Sequence, residues 1–330
     1  MTPNLYICST YYHVYITLCK VMTQKQQIDL IICDDIPAGE ELSGRLRDSG
    51  IFQKVWFVRQ NDFPEIRGKN KLDWIFCQHK RRKKAIDPLL PTDFRAYSDI
   101  YIFHDGTPIG MYLNDAHIFY HLIEDSLNIY QRLYDTAQKN FLKPHNLKFY
   151  IRRFLQSGYF PFGDSKYVRD IEVNQNRTLQ VRHKKIIELP REQIEQKLTD
   201  SQRKEILNIF GCQNEISVPA HSALLLTEPL YADGICESEE EQLEIYRKLC
   251  SQLQREGWVV FLKPHPRDQV DYDALHLPSL NPQFPIELLN YFSGISFDCA
   301  AAVSSSAIFT LKNVPHRFWW RQDKLIPAKI

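Results

Sequence analysis

Trp258 to Leu262 is an unbroken apolar run, and it stops at Lys263-Pro264-His265-Pro266. The run is β-branched and aromatic, and a helix-like segment ending at Arg255-Glu256-Gly257 leads into it. This pattern predicts a fully buried strand of a parallel sheet, entered from a helix. Each proline lacks an N–H and fixes φ, so the ladder cannot continue past Leu262-Lys263. Lys263 and His265 are therefore expected at the carboxyl end of a buried strand, the edge at which open α/β sheets bind ligands. Together with Arg267 they suit a phosphate. A proline turn carrying solvated charges is the plainer alternative.

The rest of the chain repeats the same alternation. Asn4–Cys8 reads as a strand, Ser9-Thr10 as the cap of a helix from Tyr11, and 28–33 as a second buried strand. A helix over 37–49 and a short strand over 54–58 follow. This β-α-β-α-β order predicts a parallel sheet. A strand over 99–103 leads through His104-Asp105-Gly106-Thr107 to a helix beginning at Pro108, where proline is tolerated. A strand over 117–123 runs into Glu124-Asp125-Ser126. Carboxylates at a strand end can accept a proton from a bound hydroxyl; acids at a helix N-terminus are the alternative.

A helix is expected over 146–156, then a small β element or irregular excursion over 159–189. A polar helical segment spans 191–210, with Gly211 as its C-cap. A second α/β series begins at Ala223–Leu226. It continues through Thr227-Glu228-Pro229, a helix opened by Ser238 and Glu241 as a capping box, the strand at 258–262, a helix near Glu287, and a strand at 300–303 entering Ser304-Ser305-Ser306. Hydroxyls and N–H groups at such a strand-to-helix turn form a ready anion site; a helix cap alone is the alternative. Two α/β halves predict two Rossmann-like domains, 1–189 and 190–330, facing across a cleft. No Gly-rich nucleotide fingerprint is present.

The formal net charge of +1 over 330 residues provides no electrostatic case for nucleic acid. The eight cysteines are scattered without metal-ligand spacing, so no metal site is expected. No signal-peptide pattern or apolar run of ~20 residues is seen, so a reduced, cytoplasmic protein is expected. Two basic features leave a peripheral contact with the inner face of a membrane open. One is His79-Lys80-Arg81-Arg82-Lys83-Lys84, which also fits a solvated helix face. The other is Trp319-Trp320 flanked by Arg317, Arg321 and Lys324, which also fits a C-terminal helix packed on the protein. A homodimer is equally open.

The motif set resembles that of bacterial sialyltransferases. Lys263-Pro264-His265-Pro266 is similar to their HP motif, Glu124-Asp125-Ser126 to their D/E-D/E-G motif, and Ser304-Ser305 to their serine motif. Leu5-Tyr6-Ile7-Cys8-Ser9-Thr10-Tyr11-Tyr12 and Leu224-Leu225-Leu226-Thr227-Glu228-Pro229-Leu230 resemble glycosyltransferase family 52, which includes lipooligosaccharide and capsule sialyltransferases.

That resemblance implies a GT-B fold and an inverting, metal-independent transfer of sialic acid from CMP-Neu5Ac to a galactoside of a bacterial surface glycan. No cofactor is implied; the partners are a CMP-sugar donor and a glycan acceptor. By resemblance, His265 acts on the leaving phosphate, with Lys263 and Pro266 beside the nucleotide. Glu287 binds the ribose hydroxyls, and Ser304, Ser305 and Ser306 form the phosphate loop. Asp125 is the preferred base, with Asp233 the alternative. Two positions depart from the pattern. Ser126 stands where the motif has glycine. Leu230 follows Pro229, where lipooligosaccharide enzymes place an aspartate assigned as base. CMP-Kdo or another GT-B donor remains an alternative chemistry, and a non-catalytic nucleotide- or glycan-binding protein a further one.

Overall fold

The computed structural model describes residues 2–24, 26–66, 69, 77–126, 163, 165–175, 185–212, 217–292 and 295–329. The chain divides into two units, Met1–Gln202 and Arg203–Ile330. The first contains β1 (Asn4–Cys8), β2 (Ile28–Cys33), β3 (Lys54–Val58), β4 (Ile100–Ile102), β5 (Tyr120–Ile123), β6 (Val168–Val173) and β7 (Lys185–Glu188). They form one sheet in the order β3-β2-β1-β4-β5-β6-β7, and every pairing is parallel. The order reverses between β1 and β4, so the carboxyl ends of those two strands flank a topological switch point.

The local chemistry explains these elements. β1 and β2 are buried along their whole length, as apolar runs in a parallel sheet require. Thr10 ends the first loop by accepting the His13 N–H at 3.1 Å, which starts the helix Tyr11–Val21. Thr107 does the same for Gly110, and Pro108 opens the helix Pro108–Asp115. A side chain at Gly110 would meet the Asp105 backbone at 2.6 Å, so this helix start lies directly on the β4 turn. Within 159–189, where a small β element or an irregular excursion is expected, the chain supplies the strands β6 and β7, which extend the main sheet. The helix expected over 146–156 lies outside the described residues.

The boundary between units falls after the short helix Arg191–Glu195, later than residue 189, because that helix is tied to the first unit. Tyr15 donates to Glu195 at 2.8 Å, and Arg191 donates to Glu172 of β6 at 2.6 Å. Lys20 also pairs with Glu172. Burial alone would raise the Glu172 carboxyl, but Lys20 and Arg191 hold it below its ordinary range. The polar segment 191–210 is accordingly two helices, Arg191–Glu195 and Asp200–Ile209, closed by Gly211 at φ +70°.

The second unit contains β8 (Ser222–Leu226), β9 (Val259–Lys263), β10 (Cys299–Ala302), β11 (His316–Arg321) and β12 (Lys324–Pro327), in the order β12-β11-β10-β8-β9. All pairs are parallel except the β11–β12 hairpin. Ser238 accepts the Glu241 N–H at 3.2 Å and starts the helix Glu239–Arg255. That helix buries Tyr246, Leu249, Cys250 and Leu253 at helical spacing in the core of this unit.

Two expectations are corrected here. β9 is parallel and buried from Val260 to Lys263 but not along its whole length: it is an edge strand, and Val259 is 44% exposed. Its free edge is covered where Leu262 donates to Pro278 and accepts from Leu280, both at 2.8 Å. The Trp319-Trp320 segment is strand β11, not a helix. Trp320 is in the core at 6% exposure, and Trp319 packs edge-on against Phe309 at 5.7 Å. The hairpin turn uses Gln322 and Asp323, both with positive φ, as a two-residue turn matched to strand twist requires. Trp320 therefore has no surface to offer a membrane.

Candidate active site

In the second sheet the parallel register sets the site. Leu226 pairs with Ala302 of β10 on one side and with Lys263 of β9 on the other. Continuing each strand by one to three residues brings Thr227-Glu228, Ser304-Ser305 and Pro264-His265 together at the carboxyl edge. The strand order reverses between β8 and β10, so Glu228 and Ser304 lie at this sheet's switch point.

Hydrogen bonds lock the three strand ends. The Thr227 hydroxyl accepts the His265 backbone N–H at 3.0 Å and donates to Asp268 at 2.5 Å. Asp268 also accepts from Gln242 at 2.9 Å and from Tyr272 at 2.8 Å. The Arg267 N–H donates to His265 Nδ1 at 3.1 Å. That bond requires a bare Nδ1, so the neutral ring carries its hydrogen on Nε2. Burial, then the positive charges of Arg267 and Lys263, lower the His265 pKa to about 4, against the opposing pull of Asp233. At neutral pH the ring is a neutral Nε2–H donor.

Ser304 and Ser305 form an oxyanion cradle. The Ser304 N–H donates to the Glu228 carboxylate at 2.6 Å and the Ser305 N–H at 2.8 Å, and the Ser304 hydroxyl donates to the same carboxylate. Ser305 Oγ accepts the Ala307 N–H at 3.3 Å and caps the 3₁₀ turn Ser306–Phe309, which Ser306 opens. The expected phosphate loop thus holds an internal carboxylate.

The remaining expected residues are distributed around this edge. Lys263 is 5% exposed and donates to the Pro264 and Pro282 carbonyls at 3.2 Å each, with its ammonium 4.6 Å from the Phe284 ring centre. Burial lowers its pKa to about 7, while Cys212 and Glu287 oppose the shift. Glu287 is buried in the first turn of the 3₁₀ helix Ile286–Tyr291. Pro266 is half-buried in the turn after His265. Asp233 lies in the turn after Pro229 and faces Arg267 at 3.4 Å as a solvent-exposed ion pair. Leu230, at the position where the resembled enzymes carry an aspartate, is fully buried in the core of the unit. No carboxylate could replace it there without losing its hydration.

Asp125 belongs to the first unit, just past β5. It accepts from His13 Nε2 at 2.5 Å, and its side chain is 23% exposed. Its neighbour Glu124 is 2% exposed and accepts the Asn174 N–H at 2.6 Å, which is a structural use. The basic segment forms the helix Gln78–Ile86, where Arg82 holds Asp115 through two bonds and Lys83 pairs with Asp87. Among the described residues no helix is long and apolar enough to cross a membrane, and no group of three or more His, Cys, Asp or Glu side chains could hold a metal ion.

His13, Glu228, Thr227 and Asp268 are the functional candidates that pattern reading missed. Glu228 and Thr227 lie inside a stretch already singled out, and their position two residues or fewer past an apolar strand was the available signal.

Two successive Rossmann-like α/β units with polar strand ends make up a GT-B fold. The chain belongs to glycosyltransferase family 52, whose family model matches residues 63–319. Among solved structures it is similar to the spinosyn rhamnosyltransferase SpnG complexed with thymidine diphosphate, at 10% identity and TM-score 0.43, covering 94% of this chain and 77% of that one. It is also similar to Medicago truncatula UGT71G1 complexed with UDP-glucose, at 12% identity and TM-score 0.46, with the same coverages. A third is the UDP-GlcNAc 2-epimerase from Methanocaldococcus jannaschii, at 9% identity and TM-score 0.40, covering 94% and 80%. No curated protein sequence matches the chain.

Proposed function

We propose that this glycosyltransferase moves sialic acid from CMP-Neu5Ac to a hydroxyl of a galactoside, with inversion and without a metal ion. The observation that carries the reading is the group of donors at the carboxyl edge of the second sheet: His265 Nε2–H, the Ser304 and Ser305 N–H groups and the Ser304 hydroxyl. Family 52 membership supports the same reaction class.

In the proposed step the acceptor oxygen forms a bond to the anomeric carbon as that carbon's bond to the phosphate oxygen breaks. The departing CMP takes the bonding electron pair, and the acceptor proton passes to Asp125. Charge builds on the phosphate, where a neutral Nε2–H and backbone N–H groups stabilise it most as it develops. A phosphate monoester with a second pKa near ~6 leaves without needing a proton. His265 thus serves as a hydrogen-bond donor. Glu287 is assigned to the ribose hydroxyls, Lys263 and Pro266 to shaping the nucleotide side of the edge, and Ser306 to the phosphate loop. Asp233 remains the alternative base.

The test is incubation with CMP-Neu5Ac or CMP-Kdo and a panel of galactosides, followed by mass spectrometry. A sialylated galactoside is expected. Kdo transfer, or nucleotide binding with no transfer from either donor, would replace this reading.

A further inference from the structure

We infer that His13 is the residue that positions Asp125 for proton abstraction, an inference that rests on the reading of Asp125 as the base. His13 and Asp125 are 112 residues apart in sequence, and the fold joins them. β4 lies between β1 and β5 in the sheet. The first turn of the helix after β1 carries His13, the end of β4 carries Phe103, and the loop after β5 carries Asp125. His13 stacks on Phe103 with ring centres 4.2 Å apart and planes 8° from parallel, so the ring lies over the end of the intervening strand. This is the switch-point side of the first sheet, where a ligand crevice forms in open α/β folds.

The ring's protonation is set by its other nitrogen. The Ser9 N–H donates to Nδ1 at 3.1 Å, so Nδ1 accepts and Nε2 carries the hydrogen. Nε2 then donates to Asp125 Oδ1 at 2.5 Å. His13 is itself 1% exposed, while the Asp125 side chain is 23% exposed. A buried imidazole, fixed by a backbone donor, an aromatic stack and a helix cap, therefore grips one oxygen of a carboxylate that reaches solvent. Such an arrangement restricts the rotation of the carboxylate and presents it to a hydroxyl in one orientation. General-base catalysis depends on that geometry before it depends on basicity.

The variants separate positioning from packing. His13→Phe keeps the ring volume and the stack on Phe103 but removes the donor. His13→Gln places an amide N–H near the site of Nε2. Transfer from CMP-Neu5Ac to whichever galactoside of the panel accepts sialic acid is measured for both, with KM for the donor and Tm recorded. His13→Phe is expected to lower kcat by about 10–100-fold, with donor KM and Tm near wild type. His13→Gln is expected to recover part of that loss. In the Asp125→Asn background, His13→Phe is expected to cost nothing further, as residues acting as one unit do. Wild-type kcat in His13→Phe, with Asp125→Asn severely slowed, overturns the inference and leaves the base assignment standing. An equal further loss in the double variant also overturns it, since His13 would then act independently. Full activity in Asp125→Asn overturns the base reading and the inference together.

Discussion

Glu228 and Ser304 meet across the point where the strand order of the second sheet reverses. Each lies two residues beyond a paired position, Leu226 opposite Ala302, and the Glu228 carboxylate takes both the N–H and the hydroxyl of Ser304. The cradle assigned to the donor phosphate thus holds a negative charge of the protein's own. A bound phosphate would have to displace that carboxylate or lie beside it. Glu228→Gln is therefore expected to tighten CMP binding by about tenfold, or ~1.4 kcal/mol, at the lower end of the Coulomb range for unit charges ~4 Å apart. Calorimetry at pH 7.5 decides, and weaker binding would show instead that Glu228 is needed to shape the serine loop.

His265→Ala is expected to reduce kcat by about 10²–10³, the usual loss for one transition-state donor, while the sheet stays intact. The side chain is half-buried at a strand end and its contacts are local. Single-turnover rates measure the loss. Activity within a few-fold of wild type would remove His265 from the mechanism.

The same residue makes a pH prediction. The His265 pKa in the folded protein, about 4, lies below the ordinary value of 6.5. Between those values the unfolded chain binds more protons than the folded one, so stability from this group falls as pH drops from 6.5 toward 4 and is constant above 6.5. Urea midpoints from pH 4 to 8 are expected to show a shallower acid-side decline in His265→Gln than in wild type. Superimposable curves would mean that the ring takes up its proton over the same pH range in the folded and unfolded chains.

Asp125→Asn is expected to lower transfer severely, to a residual rate that can still be measured, with CMP affinity nearly unchanged, whereas Asp233→Asn is expected to retain most of the rate. Asp233 is engaged in an exposed ion pair with Arg267, and such pairs contribute ~1 kcal/mol or less. Parallel kcat and CMP titrations separate the two. The reverse outcome would move the base to the second unit.

Trp320→Ala is expected to destabilise the second unit by about 3–5 kcal/mol, the range for deleting a large buried aromatic. Chemical denaturation measures this. Flotation of the intact protein with anionic liposomes is expected to show no dependence on Trp320 beyond that of folding.

Activity is expected to persist in EDTA, because N–H, hydroxyl and imidazole donors are assigned to the phosphate charge. Loss on chelation with recovery in Mg²⁺ or Mn²⁺ would assign that charge to a cation.

Much of the fold follows from local patterns in the chain. The apolar runs of β1, β2, β8 and β9 are sufficient to predict buried parallel strands, and Thr10, Thr107, Ser238 and Gly211 mark helix ends because each satisfies a backbone need within its own turn. Prolines 264 and 266 end β9 for the same local reason. His265, Ser304 and Asp125 are therefore legible as strand-end side chains. From its sequence the Trp319-Trp320 segment fits either a membrane contact or a packed C-terminal helix; sheet pairing replaces the helix with a strand, and Trp320 is packed in the core.

What the chain by itself determined is which residues stand at the carboxyl ends of strands, since strand length, proline stops and caps are properties of neighbours in sequence. What only the tertiary structure decided is which of those ends meet. Strand order and register place Glu228 on Ser304, Thr227 on His265 and His13 on Asp125, and they put β9 at an edge and Trp320 in the core. Those pairings arise from burying whole faces against one another, a requirement summed over distant segments that no local window of sequence contains.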